Sequence, residues 1–374
     1  MQKKWLIVFA ALASCARVLP PSGGERDLEA PRIVETFPAQ NANTTALAGP
    51  AAEVRIVFHE TLSERSPREL VQVSPETGEV DAERDGKEIR VNIEGGWQPN
   101  RIYRVTVMPG IVDRHGNARK TAYELVFSTG AAIVPNALGG LATDRISGKP
   151  VVGARVEAIS RVDSTVYTTV TDSGGFFALR SLPPAAYTTR VFADLNRNRK
   201  LDPTEARGMR DINVSATDTV PVELTLLSPD STPARLVRAE IRDSMQVRLV
   251  FDDYTDPTSM APLRVIAWQL PDSTLVAGGS VITPREFDRL RADTTRAAPG
   301  LANPARAANH NAPVLPINEL VWIPTSPLRA GTRYRISVGG YRNLQNIPEG
   351  GGSVVATAPT PGRATPAARD SIRQ

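Results

Sequence analysis

The sequence predicts an all-β protein built from three tandem β-sandwich modules. Aromatic residues make up only 5% of the 374 residues, whereas the chain contains 31 prolines and 27 glycines. That balance favours short strands joined by many turns over helical bundles. Hydrophobic residues account for 41% of the chain and charged residues for 22%, and this length accommodates about three domains of ordinary size.

The N-terminus is typical of an export signal that ends at a lipidation site. A positively charged start is followed by the nine-residue apolar run Trp5–Ala13, which is too short to span a bilayer. The run leads into Leu-Ala-Ser-Cys at residues 12–15, which resembles the lipobox of bacterial lipoproteins. The resemblance implies a lipoprotein signal peptide over residues 1–14 and acylation of the Cys15 thiol, followed by a tether over residues 15–30.

Cys15 is the only cysteine in the chain, so an intramolecular disulfide or a CxxC metal site is excluded. The alternative interpretation is an ordinary secretory signal that contains a cysteine by chance. Ala16 stands where, by resemblance to enterobacterial lipoproteins, an Asp would favour retention in the inner membrane. We therefore expect a cell-envelope protein whose lipid anchor lies in the outer membrane.

The charge of the chain does not indicate a nucleic-acid partner. The formal net charge is +4, and removal of Lys3 and Lys4 with the signal leaves +4 minus 2, or +2. The sequence has no stripe of Lys and Arg with interleaved aromatic residues, which is the electrostatic footprint of nucleic-acid binding.

The first module is predicted over residues 31–131. Val54, Ile56 and Phe58 fall on alternate positions of one run, and a second run surrounds Tyr103, as in half-buried strands. Asp-Arg-His-Gly-Asn at 113–117 reads as a turn, so His115 is interpreted as a turn residue. In their order and spacing these runs resemble the SbsA-type bacterial Ig-like domain, which implies a β-sandwich.

The second module is predicted over residues 132–229. It contains a strand after Gly140, a second strand predicted at Pro-Val-Val-Gly-Ala (150–154), a turn at Thr-Asp-Ser-Gly-Gly-Phe (171–176), and Leu-Pro-Pro before the strand of Tyr187. These segments resemble the carboxypeptidase-regulatory-like, transthyretin-like β-sandwich. By that resemblance the module carries no catalytic residues.

The third module, residues 230–357, is predicted from an internal repeat. Val-Arg-Leu-Val-Phe at 247–251 echoes Val-Arg-Ile-Val-Phe at 54–58, and both halves place a Trp ahead of a Pro and then a Tyr in an Arg-flanked strand. We interpret this module as a second, divergent Ig-like sandwich. Its closing strand at residues 350–357 lacks the Phe-Ser-Thr ending, so the pairing at that edge is expected to be frayed or borrowed.

Two segments of this last part are expected to be poorly ordered. An insertion over residues 284–316 begins with one or two helical turns at Arg285–Ala292 and continues as a mobile, Ala-, Arg- and Pro-rich loop. The interpretations weighed for that loop are a binding loop and a low-complexity expansion without function. The tail at residues 358–374 is predicted to be disordered.

The run DLNRNRKLDPTE at residues 194–205 is a candidate calcium loop. An EF-hand loop takes ligands from its positions 1, 3, 5, 7, 9 and 12, which here are Asp194, Asn196, Asn198, the Lys200 carbonyl, Asp202 and Glu205. Against this, Arg199 occupies position six, where the turn favours Gly, and no helix pair brackets the loop. The alternative is a plain polar hairpin without metal.

No catalytic constellation is predicted. The three histidines, His59, His115 and His310, lie far apart in the sequence, and HExxH, GxSxG and phosphate-loop motifs are absent. Asp252 and Asp253 are adjacent in a predicted strand, so they point to opposite faces and make a poor glycosidase pair.

The leading hypothesis is therefore a non-enzymatic, lipid-anchored envelope protein. Its sandwiches would be presented to a protein or glycan partner, with no small-molecule substrate and no required cofactor. The first alternative is an adhesin-like stalk stabilised by calcium at residues 194–205. The second is an enzyme of unrecognised type.

Overall fold

The protein was analysed as a computed structural model, which describes residues 26–49, 52–276, 278–295 and 314–360. These residues form 22 β-strands and one α-helix, so the all-β prediction is confirmed. The chain divides into two compact units, residues 1–73 with 77–132, and residues 74–76 with 133–374. The signal peptide, Cys15, the loop at 296–313 and the tail from residue 361 lie outside the described residues.

The first unit is a sandwich of a four-stranded and a three-stranded sheet, with strand orders β1-β2-β5-β4 and β3-β6-β7. All the neighbouring strands with a recorded register run antiparallel. The strands of this unit are β1 (Ile33–Phe37), β2 (Val54–Phe58), β3 (Val71–Ser74), β4 (Val80–Asp85), β5 (Glu88–Ile93), β6 (Ile102–Val107) and β7 (Tyr123–Ser128).

The core of the first unit is centred on three aromatic rings. The Trp97 ring meets the rings of Tyr103 and Phe127 edge-on, with centroids 4.9 and 5.2 Å apart. All three side chains are fully buried, and the alternate residues Val54, Ile56 and Phe58 of β2 join the same cluster. Edge-on aromatic pairs add to the free energy gained by burying their area, so this cluster holds the two sheets together.

The second unit begins with another sandwich, whose sheets have the orders β10-β9-β12-β13 and β11-β8-β14. Its strands are β8 (Ala137–Asp144), β9 (Arg155–Ser160), β10 (Val166–Val170), β11 (Phe176–Arg180), β12 (Ala185–Phe192), β13 (Arg207–Val214) and β14 (Thr219–Leu226). β14 pairs with β8 in parallel. At Gly140 a Cβ would lie 1.6 Å from the Val222 carbonyl oxygen, so glycine is required for this close approach.

The prediction of a strand at residues 150–154 is wrong. Pro150 makes only an isolated bridge to Thr143, and β9 starts at Arg155. Pro150 lacks the N–H that a strand interior needs, and Gly153 has a positive φ of 69°. The predicted turn at residues 171–176 is present, with Asp172 Oδ1 accepting the N–H groups of Gly174 and Phe176.

The remainder of the second unit has two four-stranded sheets, β15-β16-β20-β19 and β18-β17-β21-β22. Its strands are β15 (Leu236–Asp243), β16 (Gln246–Thr255), β17 (Arg264–Gln269), β18 (Thr274–Val276), β19 (Gly279–Ile282), β20 (Ile317–Pro324), β21 (Arg333–Tyr341) and β22 (Gly350–Thr357). Counted along the chain, this strand order matches that of the first unit, with β18 added at one edge.

The prediction of a frayed closing strand in this module is wrong. β22 pairs with β21 from Arg333–Thr357 to Tyr341–Gly350, with one register shift. Backbone pairing does not need the Phe-Ser-Thr ending. Glycines suit this strand because a Cβ at Gly351 would lie 2.0 Å from the Val338 carbonyl oxygen.

The insertion begins with a longer helix than the one or two turns expected, α1 (Pro284–Thr295). Thr283 and Glu286 form a reciprocal cap, in which Glu286 Oε2 accepts the Thr283 N–H at 2.9 Å and Thr283 Oγ1 accepts the Glu286 N–H at 3.2 Å. Pro284 follows the cap, at the helix position that tolerates proline. These capping residues fix where the helix starts.

Candidate functional site

The loop at residues 194–205 connects β12 to β13 and turns its side-chain oxygens towards its own backbone. Asp194 Oδ1 accepts the Asn198 N–H at 3.0 Å, and Asp194 Oδ2 accepts the Arg199 N–H at 2.9 Å. Asn198 Oδ1 accepts the Lys200 N–H at 2.7 Å. The structure therefore places the predicted ligand residues in one curled loop.

Glu205 closes the loop from its far end. Its carboxylate is buried, with 4% of the residue exposed. Oε1 accepts the Leu195 N–H and Oε2 accepts the Asp202 N–H, both at 3.0 Å. One carboxylate thus ties the start of the loop to its end, as the twelfth residue of an EF-hand loop does through its ion.

Arg199 adopts a positive φ of 62°, which is the conformation that favours Gly at position six of an EF-hand loop. The backbone therefore has the required bend although the residue is Arg. The Nδ2 atoms of Asn196 and Asn198 donate to Asp202 Oδ2 at 2.7 and 3.0 Å. A cation at this point would need both amides turned so that their oxygens face Asp202.

In the described part of the chain, His59 and His115 both approach the Glu60 carboxylate, with His59 Nε2 3.5 Å from Glu60 Oε1. His59 Nδ1 accepts the Arg32 N–H at 3.1 Å. His115 lies in the predicted turn with its side chain 61% exposed, and its Nδ1 is 3.3 Å from Asp27 Oδ2. His310 lies outside the described residues.

The pair Asp252 and Asp253 splits as expected for neighbours in a strand. Asp252 Oδ1 accepts the Arg235 N–H at 2.6 Å, whereas Asp253 Oδ2 is buried without a hydrogen-bond partner. Burial and the nearby Asp230 carboxylate raise the pKa of Asp253. Nothing in the sequence indicated the approach of Asp230.

A second carboxylate cluster was missed by sequence reasoning. One ligand atom each from Asp27, Glu60, Asp113 and His115 lies within 4.8 Å of the others. Only the spacing of Asp113 and His115 is visible in the sequence, where it read as a turn. Asp27 belongs to the predicted tether, and Asn117 Nδ2 donates to its carbonyl oxygen at 3.1 Å.

The second unit also contains an open cavity of about 520 Å³. Arg145, Asp256, Arg342, Asn343 and Asn346 contribute to its wall. Arg145 Nη2 donates to Asp256 Oδ2 at 2.8 Å, so the charges in this wall are partly neutralised. Asn343 Oδ1 accepts a hydrogen bond from the Ile347 N–H.

No helix in the described part of the chain is long and apolar enough to cross a membrane.

The sheets and their cores define a class, that of chains with consecutive β-sandwich domains. More particularly, the chain contains a bacterial Ig-like domain, matched over residues 27–129, and a carboxypeptidase regulatory-like domain, matched over residues 137–227. The expected bacterial Ig-like domain and the expected carboxypeptidase regulatory-like domain are thereby confirmed. Curated proteins gave no match.

The chain is similar to several solved structures. The TIE protein of Bacillus anthracis is 11% identical and covers 91% of this chain, with a TM-score of 0.20. The major pilin subunit BcpA of Bacillus cereus is 10% identical and covers 52% of this chain and 70% of its own, with a TM-score of 0.18. Native alpha-2-macroglobulin from Escherichia coli is 13% identical and covers 65% of this chain and 84% of its own, with a TM-score of 0.21.

The chain spans 57% of the TIE chain.

Proposed function

We propose that the protein is a non-enzymatic, lipid-anchored component of the bacterial cell envelope that presents β-sandwich domains to a protein or glycan partner. The observation that carries the proposal is that buried polar side chains form hydrogen bonds with the backbone. They bind backbone groups and close turns and loops, as seen for Asp113, Asn136, Thr171, Glu205 and Asn343. Polar side chains used in this way stabilise the sandwiches themselves, as a binding or structural module requires.

The lipid anchor is supported by the lipobox at Cys15. Each buried methylene of an acyl chain contributes about 0.8 kcal/mol to membrane binding, and stable anchoring takes more than one acyl chain or an equivalent second signal. The acylation that the lipobox implies would supply those chains. Sandwich domains that follow such an anchor are held at the membrane surface, where they can meet envelope proteins or glycans.

A pull-down from envelope extract tests the proposed binding role. The bait is the full chain in mild detergent, and the control adds excess untagged chain as competitor. We expect one protein or glycan to be captured repeatedly and lost on competition. Failure to capture a competed partner at several salt concentrations would contradict the binding role and leave a purely mechanical one.

A second candidate is a stalk whose middle sandwich is stabilised by calcium at residues 194–205. The specific observation is the closure of the loop by both oxygens of Glu205, together with the positive φ of Arg199. Arg197, Arg199 and Lys200 oppose three carboxylates there, so we expect weak affinity, about 10⁻⁴ to 10⁻³ M.

Calcium titration of the full chain, with Asp194→Ala as the variant, tests this candidate. Heat of binding and a raised melting temperature are expected for the wild type and lost in the variant. Asp218→Asn, which removes an exposed carboxylate of the same sandwich, is the matched control and should bind as the wild type does. Absence of heat and of any melting shift at millimolar calcium would remove the candidate.

A further inference from the structure

We propose that the open cavity of the second unit is a binding site for an acidic saccharide, whose carboxylate is held by the Arg342 guanidinium. The inference rests on the proposed binding of a glycan partner, and it names the class of glycan and the place where it binds. The cavity has a volume of about 520 Å³, which lies within the range of about 300 to 1,000 Å³ that is typical of small-ligand sites. A cavity of this size accommodates an organic ligand rather than a single ion.

Four short segments form the wall of the cavity, and all of them lie at strand ends. Arg145 directly follows β8, and residues 225–227 end β14, which pairs with β8. Residues 255–259 begin at the last residue of β16, and residues 342–346 directly follow β21. Loops at the ends of rigid strands are where binding residues are commonly carried.

The charged side chains of the wall favour an anion. Arg145, Arg342 and Asp256 supply two positive charges and one negative charge, a net charge of +1. Arg145 Nη2 donates to Asp256 Oδ2 at 2.8 Å, and Asp256 Oδ1 accepts the N–H and the hydroxyl of Thr258 at 2.8 and 2.6 Å. Both carboxylate oxygens are thus occupied, and the charge that Asp256 neutralises is that of Arg145. The positive charge left in the concave wall attracts anions.

Arg342 carries that remaining charge. Its side chain is exposed, and its Nη1 donates to Asn346 Oδ1 at 3.2 Å, which is a neutral acceptor. Within the described residues it forms no ion pair with a carboxylate. A guanidinium has five N–H donors in a fork that matches the two oxygens of a carboxylate. Arg342 can therefore bind an acidic group without first giving up an ion pair.

The loop that carries Arg342 is held in place by a buried amide. Asn343 is 4% exposed, its Oδ1 accepts the Ile347 N–H at 2.9 Å, and its Nδ2 donates to the Thr232 carbonyl oxygen at 3.3 Å. The Asn343 carbonyl oxygen accepts the Asn346 N–H at 2.9 Å. A loop fixed at several points loses little conformational freedom when a ligand binds.

The remaining polar groups of the wall favour a ligand that is hydroxylated as well as anionic. Thr225, Thr255 and Ser259 contribute to the wall, and their hydroxyl groups both donate and accept hydrogen bonds, as the hydroxyls of a sugar do. Among the described residues that line the cavity there is no aromatic ring, whereas aromatic anchors are typical of the sites that bind protein partners. A saccharide that carries a carboxylate matches both properties of the wall.

The test uses the full chain in mild detergent and an array of oligosaccharides that carry uronic acids, sialic acids or no charged group. The acidic oligosaccharide that binds best is then titrated by calorimetry, in parallel with the same oligosaccharide after reduction of its carboxylates to alcohols. The site variant is Arg342→Gln. The matched control is Arg335→Gln, which removes an exposed arginine of β21 outside the cavity wall. Both variants lower the net charge by one, so a difference between them reports the position of the charge.

We expect the wild type and Arg335→Gln to bind the acidic oligosaccharide equally, and Arg342→Gln to bind it at least about tenfold more weakly. The carboxyl-reduced form should bind the wild type more weakly by a similar factor. Binding unchanged in Arg342→Gln would overturn the assignment to this cavity. Binding undiminished by carboxyl reduction, or binding of no acidic oligosaccharide on the array, would overturn the assigned class of ligand.

The pull-down from envelope extract, repeated with Arg342→Gln, separates this inference from the proposed function. A glycan captured by the wild type and lost with Arg342→Gln supports the site. A partner captured equally by both chains would leave the binding role intact and overturn the cavity as its site. Capture of no competed partner by either chain would contradict the binding role, whereas the array and the titration decide the cavity.

Discussion

Asn136 shows how one buried polar side chain closes the second sandwich. Its Nδ2 donates to the carbonyl oxygens of Leu182 and Ser215, both at 2.7 Å, and its Oδ1 accepts the Leu182 N–H at 2.8 Å. Only 3% of the residue is exposed. Three segments far apart in the sequence are therefore joined by one amide, and no local pattern in the sequence predicted it.

Replacement of Asn136 by Ala should lower the free energy of unfolding of the second unit by about 2 to 3 kcal/mol, because buried backbone groups lose their partners. Urea unfolding followed by tryptophan fluorescence and circular dichroism measures the change. Asn213→Ala, an exposed site on β13, is the control and should change stability by less than about 0.5 kcal/mol. Equal effects of the two variants would contradict this role of Asn136.

Asp253 makes the stability of the second unit depend on pH. Burial first, and the Asp230 carboxylate in addition, raise its pKa above the ordinary value. The folded state thus holds the proton more tightly than the unfolded state does. The stabilisation that the Asp253 proton gives the folded state is fully present below the pKa that Asp253 has in the unfolded state. It is lost as pH rises through the pKa that Asp253 has in the folded state.

Asp253→Asn should therefore become more stable relative to the wild type as pH rises from about 3 to 7. Unfolding midpoints measured across that range, with the exposed Asp272→Asn as control, provide the check. A difference between Asp253→Asn and the wild type that stays constant with pH would rule out the assignment.

At the scale of elements, Tyr103 of β6 and Tyr334 of β21 repeat one hydrogen bond. Tyr103 Oη accepts the Gln98 N–H at 2.9 Å, and Tyr334 Oη accepts the Arg329 N–H at 2.8 Å. In each case the donor lies five residues earlier, an arrangement close to the tyrosine corner of Ig-like sandwiches. The Tyr of the repeat predicted from the Trp, Pro and Tyr positions therefore has the same structural role in both modules.

Tyr334→Phe should lower the stability of its own unit by about 1 kcal/mol, the net value of one hydrogen bond. Tyr103→Phe should lower the stability of its unit by somewhat more, because its hydroxyl also lies 3.2 Å from Thr77 Oγ1. Differential scanning calorimetry that resolves the two units measures this. Tyr123→Phe removes a hydroxyl that makes no hydrogen bond within the described structure, and it should leave both transitions unchanged. A shift in the wrong unit, or no shift, would refute the equivalence of the two tyrosines.

Local patterns predicted elements well where burial alternates along a strand, as in β2 with Val54, Ile56 and Phe58. They failed where pairing depends on distant backbone. β22 is rich in glycine, yet it pairs along β21, because the register is set by the neighbouring strand. Pro150 lies in an apolar run that reads as a strand. Proline, however, lacks the backbone N–H that a residue in a strand interior donates.

At the scale of the molecule, both family assignments followed from ordered motifs in the sequence and were confirmed. The clusters were harder to predict, because their members are brought together only by the fold. Asp27 and Glu60 are 33 positions apart, and Glu60 and Asp113 are 53 apart. The calcium loop was visible because its oxygen-bearing residues are consecutive in the sequence, and calcium binding there stays a prediction.

The proposal of an anchored envelope protein depends most directly on Cys15. Labelled palmitate should be incorporated into the wild-type chain in a bacterial host, and the chain should sediment with the membrane fraction. The variant Cys15→Ala should take up no label and leave that fraction, since no other thiol is present to accept the lipid. Membrane association and labelling that are unchanged in Cys15→Ala would contradict the account.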